Sequence, residues 1–406
     1  MEHYRTHLTF ETTLKNTNIM LLMMGIPPCE ERYPVGVLAT VWRNLAFIGS
    51  FLLLCYTTIG ELIYLLQMFE REVNFLEVTF QAPCIGYCVI GVLKMIILAV
   101  RRNTIAELVG LFRAKWNEAI VEDEHWKICA DTMKPAIWVT SVTALVNVVM
   151  GISFTMLPIA EMIYCHYYTG TWTRQLSFNI WWPFDVLAGA KYFWFVYPLY
   201  VVIGFIGIII HMAFDCLFCI LAAHLCMHFR ILEHNLALAV GHTDRKENED
   251  KNSITRLQKV IVNHQNLIGC GVFMQNVFGN TLFVNFCGSS IIICIQMFMI
   301  TTVSGYMLVK FVLFMLCFLI ELLMLCVYGE DIVESSGLLI NAAYGCQWYK
   351  ESKPFQRTVL QIIHRSQQPV LLTAWKIWPI KIRTFSTILQ ASWSYFTLLK
   401  TVYGNK

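Results

Sequence analysis

Seven apolar stretches divide this 406-residue chain, at about 45–67, 78–100, 136–158, 192–224, 268–300, 306–328 and 385–403. Each can supply the roughly 20 apolar residues that a bilayer core demands. Once they are set aside, the positive charges sort themselves. Arg5, Lys15, Arg32 and Arg43 fall in one set of gaps, with Arg101, Arg102, Arg113, Lys115, Lys127 and Lys134. The same set holds Arg230, Arg245, Lys246, Lys251, Arg256 and Lys259, then Lys350, Lys353, Arg357, Arg365, Lys376, Lys381 and Arg383. The alternate gaps hold only Arg71, Arg174, Lys191 and Lys406. Lysine and arginine near span ends remain in the cytoplasm. The N-terminus is therefore expected inside and, after an odd number of spans, the C-terminus outside.

Composition agrees. The chain is 57% apolar and only 14% charged, against about 25% charged in a soluble protein. A net charge of +3 spread in this way gives no reason to expect nucleic acid as a partner. Most of the 15 cysteines, such as Cys216, Cys219, Cys287, Cys294, Cys317 and Cys326, lie in apolar spans, where cysteine serves as a small hydrophobe. Only Cys84 and Cys165 fall toward the outer side, which leaves a bridge between them open. Residues 1–18 are polar and mixed in charge, so the first span is expected to serve as the targeting signal.

The expected fold class is all-α: a polytopic membrane protein of seven transmembrane helices with a cytoplasmic helical layer. It forms a single unit over 1–406. Residues 1–44 are a cytoplasmic N-terminal segment and 45–328 carry spans 1–6. Residues 329–384 form a cytoplasmic region too apolar to hang free in water, with a helix at about 355–373, and 385–403 is the last span. The amphipathic stretch 101–134 extends span 2 beyond the bilayer, and span 4 keeps a helical period to about Val240. A solvated linker, HTDRKENEDKNS, follows, and helix resumes at Ile254. The outer loop between spans 3 and 4 is rich in aromatics, including Tyr164, Tyr167, Tyr168, Trp172, Phe178, Trp181, Trp182 and Phe184. It suits either an interfacial aromatic belt or a lid over a pocket.

Ionisable groups within spans are functional candidates by default. Lys94 and Lys310 lie near span ends, within reach of water, and Glu61 lies near the outer end of span 1. Asp215 and Glu321 fall toward the inner side, where partners are expected for both. His224 and His228 have the i, i+4 spacing of a metal site, but no third ligand is near, so no metal or cofactor is expected. Phosphate-binding glycine loops, nucleophile elbows and zincin motifs are missing from the sequence, and no enzyme is proposed.

The C-terminal 75 residues carry a more specific signal. Ser335, Ala343, Tyr344 and Trp348 form an S-x(7)-A-Y-x(3)-W cluster, Arg365, Gln367 and Pro369 form R-x-Q-x-P, and Ser394-Tyr395-Phe396 closes the chain. This pattern resembles the C-terminal region of the insect odorant receptors. Trp182-Pro183-Phe184-Asp185 and His264-Gln265 resemble further segments of that family, before spans 4 and 5 respectively. The resemblance implies a subunit of a tetrameric ligand-gated cation channel. A tuning receptor supplies the odorant pocket and the co-receptor Orco completes the pore. The co-receptor carries a long insertion between spans 4 and 5, which the 241–253 linker is too short to hold. It also favours glutamine where this chain has Thr401, so the chain resembles a tuning receptor.

On span 7, Ala391, Ser394, Leu398 and Val402 share one helix face and Thr401 adjoins it. That face suits a water-filled path closed by an apolar constriction that gates by dewetting. From composition alone it suits a helix-packing surface better; the resemblance reverses that and favours the pore, with Ser394, Leu398, Thr401 and Val402 as its lining and gate. The resemblance places the odorant pocket in the outer half of the bundle, between spans 2, 3, 4 and 6. Its candidate lining is Ile85, Cys88, Gly151, Thr155, Phe205, Ile209, Ser304 and Met307, with a volatile odorant or pheromone as ligand. The expected partners are thus the lipid bilayer, the ligand and Orco in a heterotetramer, at the plasma membrane of olfactory neurons. A G-protein-linked seven-helix receptor conflicts with the charge asymmetry. A secondary transporter requires broken helices in paired halves, and the sequence has no such internal symmetry.

Overall fold

In the computed structural model of the chain, residues 8–27, 36–70, 75–239 and 247–404 are described. Of the charges counted above, Arg5, Arg32, Arg71, Arg245, Lys246 and Lys406 lie outside them. Ten α-helices follow in order. They are α1 (Phe10–Met23), α2 (Val37–Glu70), α3 (Phe75–Val100), α4 (Arg102–Ala119) and α5 (Asp123–Thr169), then α6 (Ala190–Leu238), α7 (Glu247–Thr302), α8 (Tyr306–Gly345), α9 (Lys353–Ser366) and α10 (Ile382–Gly404). Six of them, α2, α3, α5, α6, α7 and α8, are long and apolar enough to cross a membrane. Expected spans 1–6 correspond to these six. The seventh, α10, has the length, 23 residues or about 34 Å at 1.5 Å per residue, but carries more hydroxyl side chains.

α6 is the axis of the bundle. From Ile210 to Phe229 every side chain is buried, as befits a helix apolar on all sides. At 49 residues α6 is about 70 Å long at 1.5 Å per residue, far more than a bilayer core, and its surplus builds a second layer. There α1 and α4 pack on α6. Phe10, Phe112 and Trp116 surround His224, whose Nε2 lies 2.9 Å from the Thr13 hydroxyl. His224 and His228 are thus core histidines against the Phe112 ring, and their i, i+4 spacing reflects packing. A capping box at Thr9 and Thr12 starts α1 and satisfies two backbone donors reciprocally.

Several boundaries differ from the expectation. The chain turns at Arg101 and again around Ile120, so 101–134 is a separate helix, α4, plus the start of α5. α7 begins at Glu247, inside the stretch read as solvated linker. Residues 240–246 of that linker lie outside the described residues. α9 stops at Ser366, well short of 373, because Pro369 disfavours helix in the residue before it. The chain then forms a small antiparallel hairpin, Thr373–Ala374 with Trp378–Pro379, the one departure from all-α structure among the described residues. Trp375 and Lys376 at its tip have φ of 51° and 59°, an unusual conformation for side-chain-bearing residues. α7 holds the hairpin in place. Gln275 accepts from Thr373 N at 2.6 Å and donates to Thr373 O at 2.6 Å, and Trp375 N donates to Gly279 O. α10 leaves this docked hairpin directly.

Candidate functional site: an apolar cavity under an aromatic lid

Helices α2, α3, α5, α6 and α8 line a small cavity of about 60 Å³. α3 contributes Cys84, Tyr87 and Cys88, and α5 contributes Met150, Gly151, Phe154 and Thr155. From α6 come Ile203, Gly204, Gly207 and Ile208, and Phe314 comes from α8. Leu54 and Glu61, seven residues apart and so on one face of α2, complete the helical wall, and Phe178 of the 170–189 loop closes it.

That loop divides in two. Tyr164, Tyr167, Tyr168 and Trp172, around the end of α5, are exposed, as an interfacial belt would be. Residues 177–186 fold inward as a lid. Phe178, Ile180 and Val186 are buried against Val196, Tyr200 and Ile203 of α6. The lid's backbone is tied to three helices. Trp181 N donates to Gly60 O at 3.0 Å, Gln81 Nε2 donates to Asn179 O at 2.8 Å, and Lys310 Nζ donates to Ser177 O. Trp182 Nε1 donates to the Tyr200 hydroxyl at 3.2 Å. Lys310 is therefore buried, 4.1 Å from the Phe154 ring centroid, and does not reach water as expected: the folded-in loop covers it.

Of the eight expected pocket residues, Cys88, Gly151 and Thr155 line this cavity and the other five do not. Helical phase explains three of them. On α6 the cavity face is 203, 204, 207 and 208, which rotates Phe205 and Ile209 off it; Ile85 is likewise rotated off the face carrying Cys84 and Cys88. Ser304 lies exposed in the turn between α7 and α8, and Met307 is two turns from Phe314, the residue by which α8 reaches the cavity. Cys84 lines the cavity while Cys165 lies near the far end of α5, and both are free thiols.

Beneath the cavity lies a buried charge cluster. The Tyr87 ring, part of the cavity wall, stacks on His211 with centroids 4.0 Å apart and planes within 5°. Lys94 Nζ donates to Asp215 Oδ2 at 2.7 Å and to Glu321 Oε1 at 2.8 Å, and lies 3.2 Å from His211 Nδ1. His211 Nε2–H in turn suits the Tyr87 carbonyl at 3.1 Å. Asp215 and Glu321 have the partner expected for them, but Lys94 does not reach water: it is fully buried. One lysine from α3 joins two carboxylates, from α6 and α8. His211, Asp215 and Glu321 are a donor set that a metal ion could use; here the lysine ammonium takes the cation's place.

The remaining candidates lie on α10. Its buried stripe is Thr384, Ile388, Ser392 and Phe396, at i, i+4 spacing. Ser392 Oγ donates to Ser290 O of α7 at 2.9 Å. Ser394, Leu398, Thr401 and Val402 are all exposed on the opposite side. Thr387, Gln390, Ser394, Thr397 and Thr401 recur at spacings of 3 and 4 along it, forming a continuous polar stripe. Four of those hydroxyls donate to carbonyls of α10 itself. Leu398 and Val402 flank the stripe.

These features define an all-helical, multi-pass membrane protein with an apolar cavity inside its bundle and no catalytic constellation among the described residues that line it. A family model described as 7tm Odorant receptor matches residues 74–393, and the chain belongs to that odorant receptor family: a ligand-sensing receptor rather than an enzyme. It is 26% identical over 399 residues to putative odorant receptor 85d of Drosophila melanogaster, covering 97% of this chain and 94% of that one. It is 23% identical over 349 residues to odorant receptor 67c of the same species, covering 86% of this chain and 85% of that one. Among solved structures, the insect olfactory receptor OR5 of Machilis hrabei in complex with eugenol superposes with a TM-score of 0.82 at 17% identity, covering 97% of this chain and 98% of that one.

Proposed function

We propose that this chain is the odorant-binding subunit of a heteromeric, non-selective cation channel, assembled with the co-receptor Orco in a heterotetramer at the plasma membrane of olfactory neurons. A volatile organic ligand occupies the cavity under the lid, in the outer half of the bundle. The N-terminus is cytoplasmic, α10 is the seventh span and ends outside, and α10 lines the path for ions. Leu398 and Val402 form the closing constriction. The observation that carries the channel reading is the polar stripe of α10. Four of its five hydroxyl and amide side chains already bond within α10, yet a continuous polar stripe uncovered by its own chain suits water or a neighbouring subunit better than lipid. The cavity supports the sensing half, since small-molecule sites are enclosed, mostly apolar and carry few polar groups.

A ligand shifts gating only through its differential affinity for open and closed arrangements. α8 contributes Phe314 to the cavity wall, and its Glu330 accepts from Ile382 N at the start of α10, so closing the bundle around a ligand has a route along α8 to α10. Whole-cell current under an odorant panel, with and without Orco and with G-protein signalling blocked, tests the reading. Rapid cation current that requires both proteins and survives the block supports it; a response lost under the block sinks it.

A further inference from the structure

Resting on that reading, we propose that Glu61 anchors the ligand, and that the cavity takes small apolar molecules bearing an O–H or N–H donor: alcohols, phenols or amines. Glu61 is fully buried and faces the cavity. Neither carboxyl oxygen has a hydrogen-bond partner at ordinary geometry among the described residues. Its polar neighbour in the cavity wall is the Cys88 thiol, a weak donor. The Thr155 hydroxyl, also in the wall, is committed to Gly151 O of its own helix at 2.9 Å. Lys310 is turned away to the lid carbonyl of Ser177.

A buried polar group without a partner is costly, and an ionisable side chain at membrane depth is retained for a reason. Packing does not require a carboxyl here, since leucine fills the equivalent place one heptad earlier at Leu54. The lid fixes where the carboxyl points: the Gly60 carbonyl is bonded to Trp181 N–H, which locks the rotation of α2 at the adjacent residue. The open volume of about 60 Å³ exceeds the roughly 10–15 Å³ that one water needs, so water can hydrate Glu61 in the empty receptor. A ligand that displaces such water without replacing its hydrogen bond loses affinity. A donor on the ligand replaces it, because a carboxyl oxygen accepts in either protonation state.

The test uses four probes of one skeleton, benzyl alcohol, benzylamine, benzaldehyde and toluene. Binding is read from thermal unfolding of the purified full-length chain, and current from cells co-expressing Orco. The wild type should bind benzyl alcohol and benzylamine about tenfold more tightly than toluene, the scale of one hydrogen bond to a buried carboxyl. Glu61→Leu should erase that advantage. Glu61→Gln, nearly isosteric and safe for folding, should keep benzyl alcohol through its amide oxygen and weaken benzylamine. Donor probes that bind no better than toluene, or not at all, overturn the anchor; so does an advantage that survives in Glu61→Leu. Donor-selective binding with no current from any volatile would instead leave the anchor standing and remove the channel reading.

Discussion

Replacing Lys94 with methionine should be among the most damaging single changes in this chain. Its ammonium sits 2.7 Å from Asp215 and 2.8 Å from Glu321, with no solvent access. At an effective dielectric of about 20, each contact is worth about 6 kcal/mol of attraction, most of it offset by the desolvation of three charges. The methionine variant keeps that desolvation cost for two carboxylates and forfeits the attraction. Removing one partner of a buried pair costs about 3–5 kcal/mol. Because two carboxylates are stranded together here, the upper end of that range applies, against a total stability of about 5–15 kcal/mol. Surface biotinylation should find little mature receptor, and thermal unfolding of the purified fraction should show a strongly lowered midpoint. The triple variant Lys94→Met, Asp215→Leu, Glu321→Met should recover most of the loss, since replacing a whole buried charge group by apolar side chains of similar volume is often neutral or stabilising. A Lys94→Met protein within about 1 kcal/mol of wild type would refute the idea that this lysine holds α3, α6 and α8 together.

Other consequences can be checked one residue at a time. Gly25 has φ of +70° and a Cβ there would lie 2.2 Å from Arg43 O and 2.4 Å from Phe47 N; backbone cannot yield, so Gly25→Ala should separate α1 from α2 and cost about 1–3 kcal/mol in an unfolding titration. Gly329→Ala places a methyl 2.3 Å from Ile380 O, just before α10. It should reduce evoked current more than surface expression, and an unchanged current-to-surface ratio would deny the link from α8 to α10. Leu398→Ala and Val402→Ala should each raise the basal current in the absence of odorant; full closure in both would remove them from the gate.

The fold was legible because membrane burial leaves a strong mark: six spans, their order and the second helical layer follow from apolar runs and charge. α10 was read as the seventh span from its apolar run, although its hydroxyl stripe dilutes that apolarity. The pocket was legible only in part. Cys88, Gly151 and Thr155 were placed through the family resemblance, but whether Ile209 or Ile208 faces the cavity depends on a rotation of 100° that no apolar run encodes. Phe178 was named among the loop aromatics that suit a belt or a lid, but which of the two it serves depends on bonds from Gly60 and Gln81, far away in sequence. Lys94 was misread because its partners arrive on α6 and α8, more than a hundred residues later. Glu61 had a readable signal, a lone carboxylate within an apolar span, but its place in the cavity wall required the lid.

Graded filling of the cavity at Gly151 tests most directly whether the cavity is where odorant acts. A Cβ on Gly151 would lie 2.1 Å from Ile208 Cδ1, the flexible tip of another wall residue, so alanine can be accommodated only by pushing Ile208 into the open space. Gly151→Ala, →Val and →Leu should raise the odorant concentration for half-maximal current in that order, by about tenfold or more at leucine, while surface expression of the alanine variant stays near wild type. Gly110 on α4 is exposed with nothing near it, and the same substitutions there should leave the response unmoved. An unaltered half-maximal concentration and full current in Gly151→Leu would contradict the account.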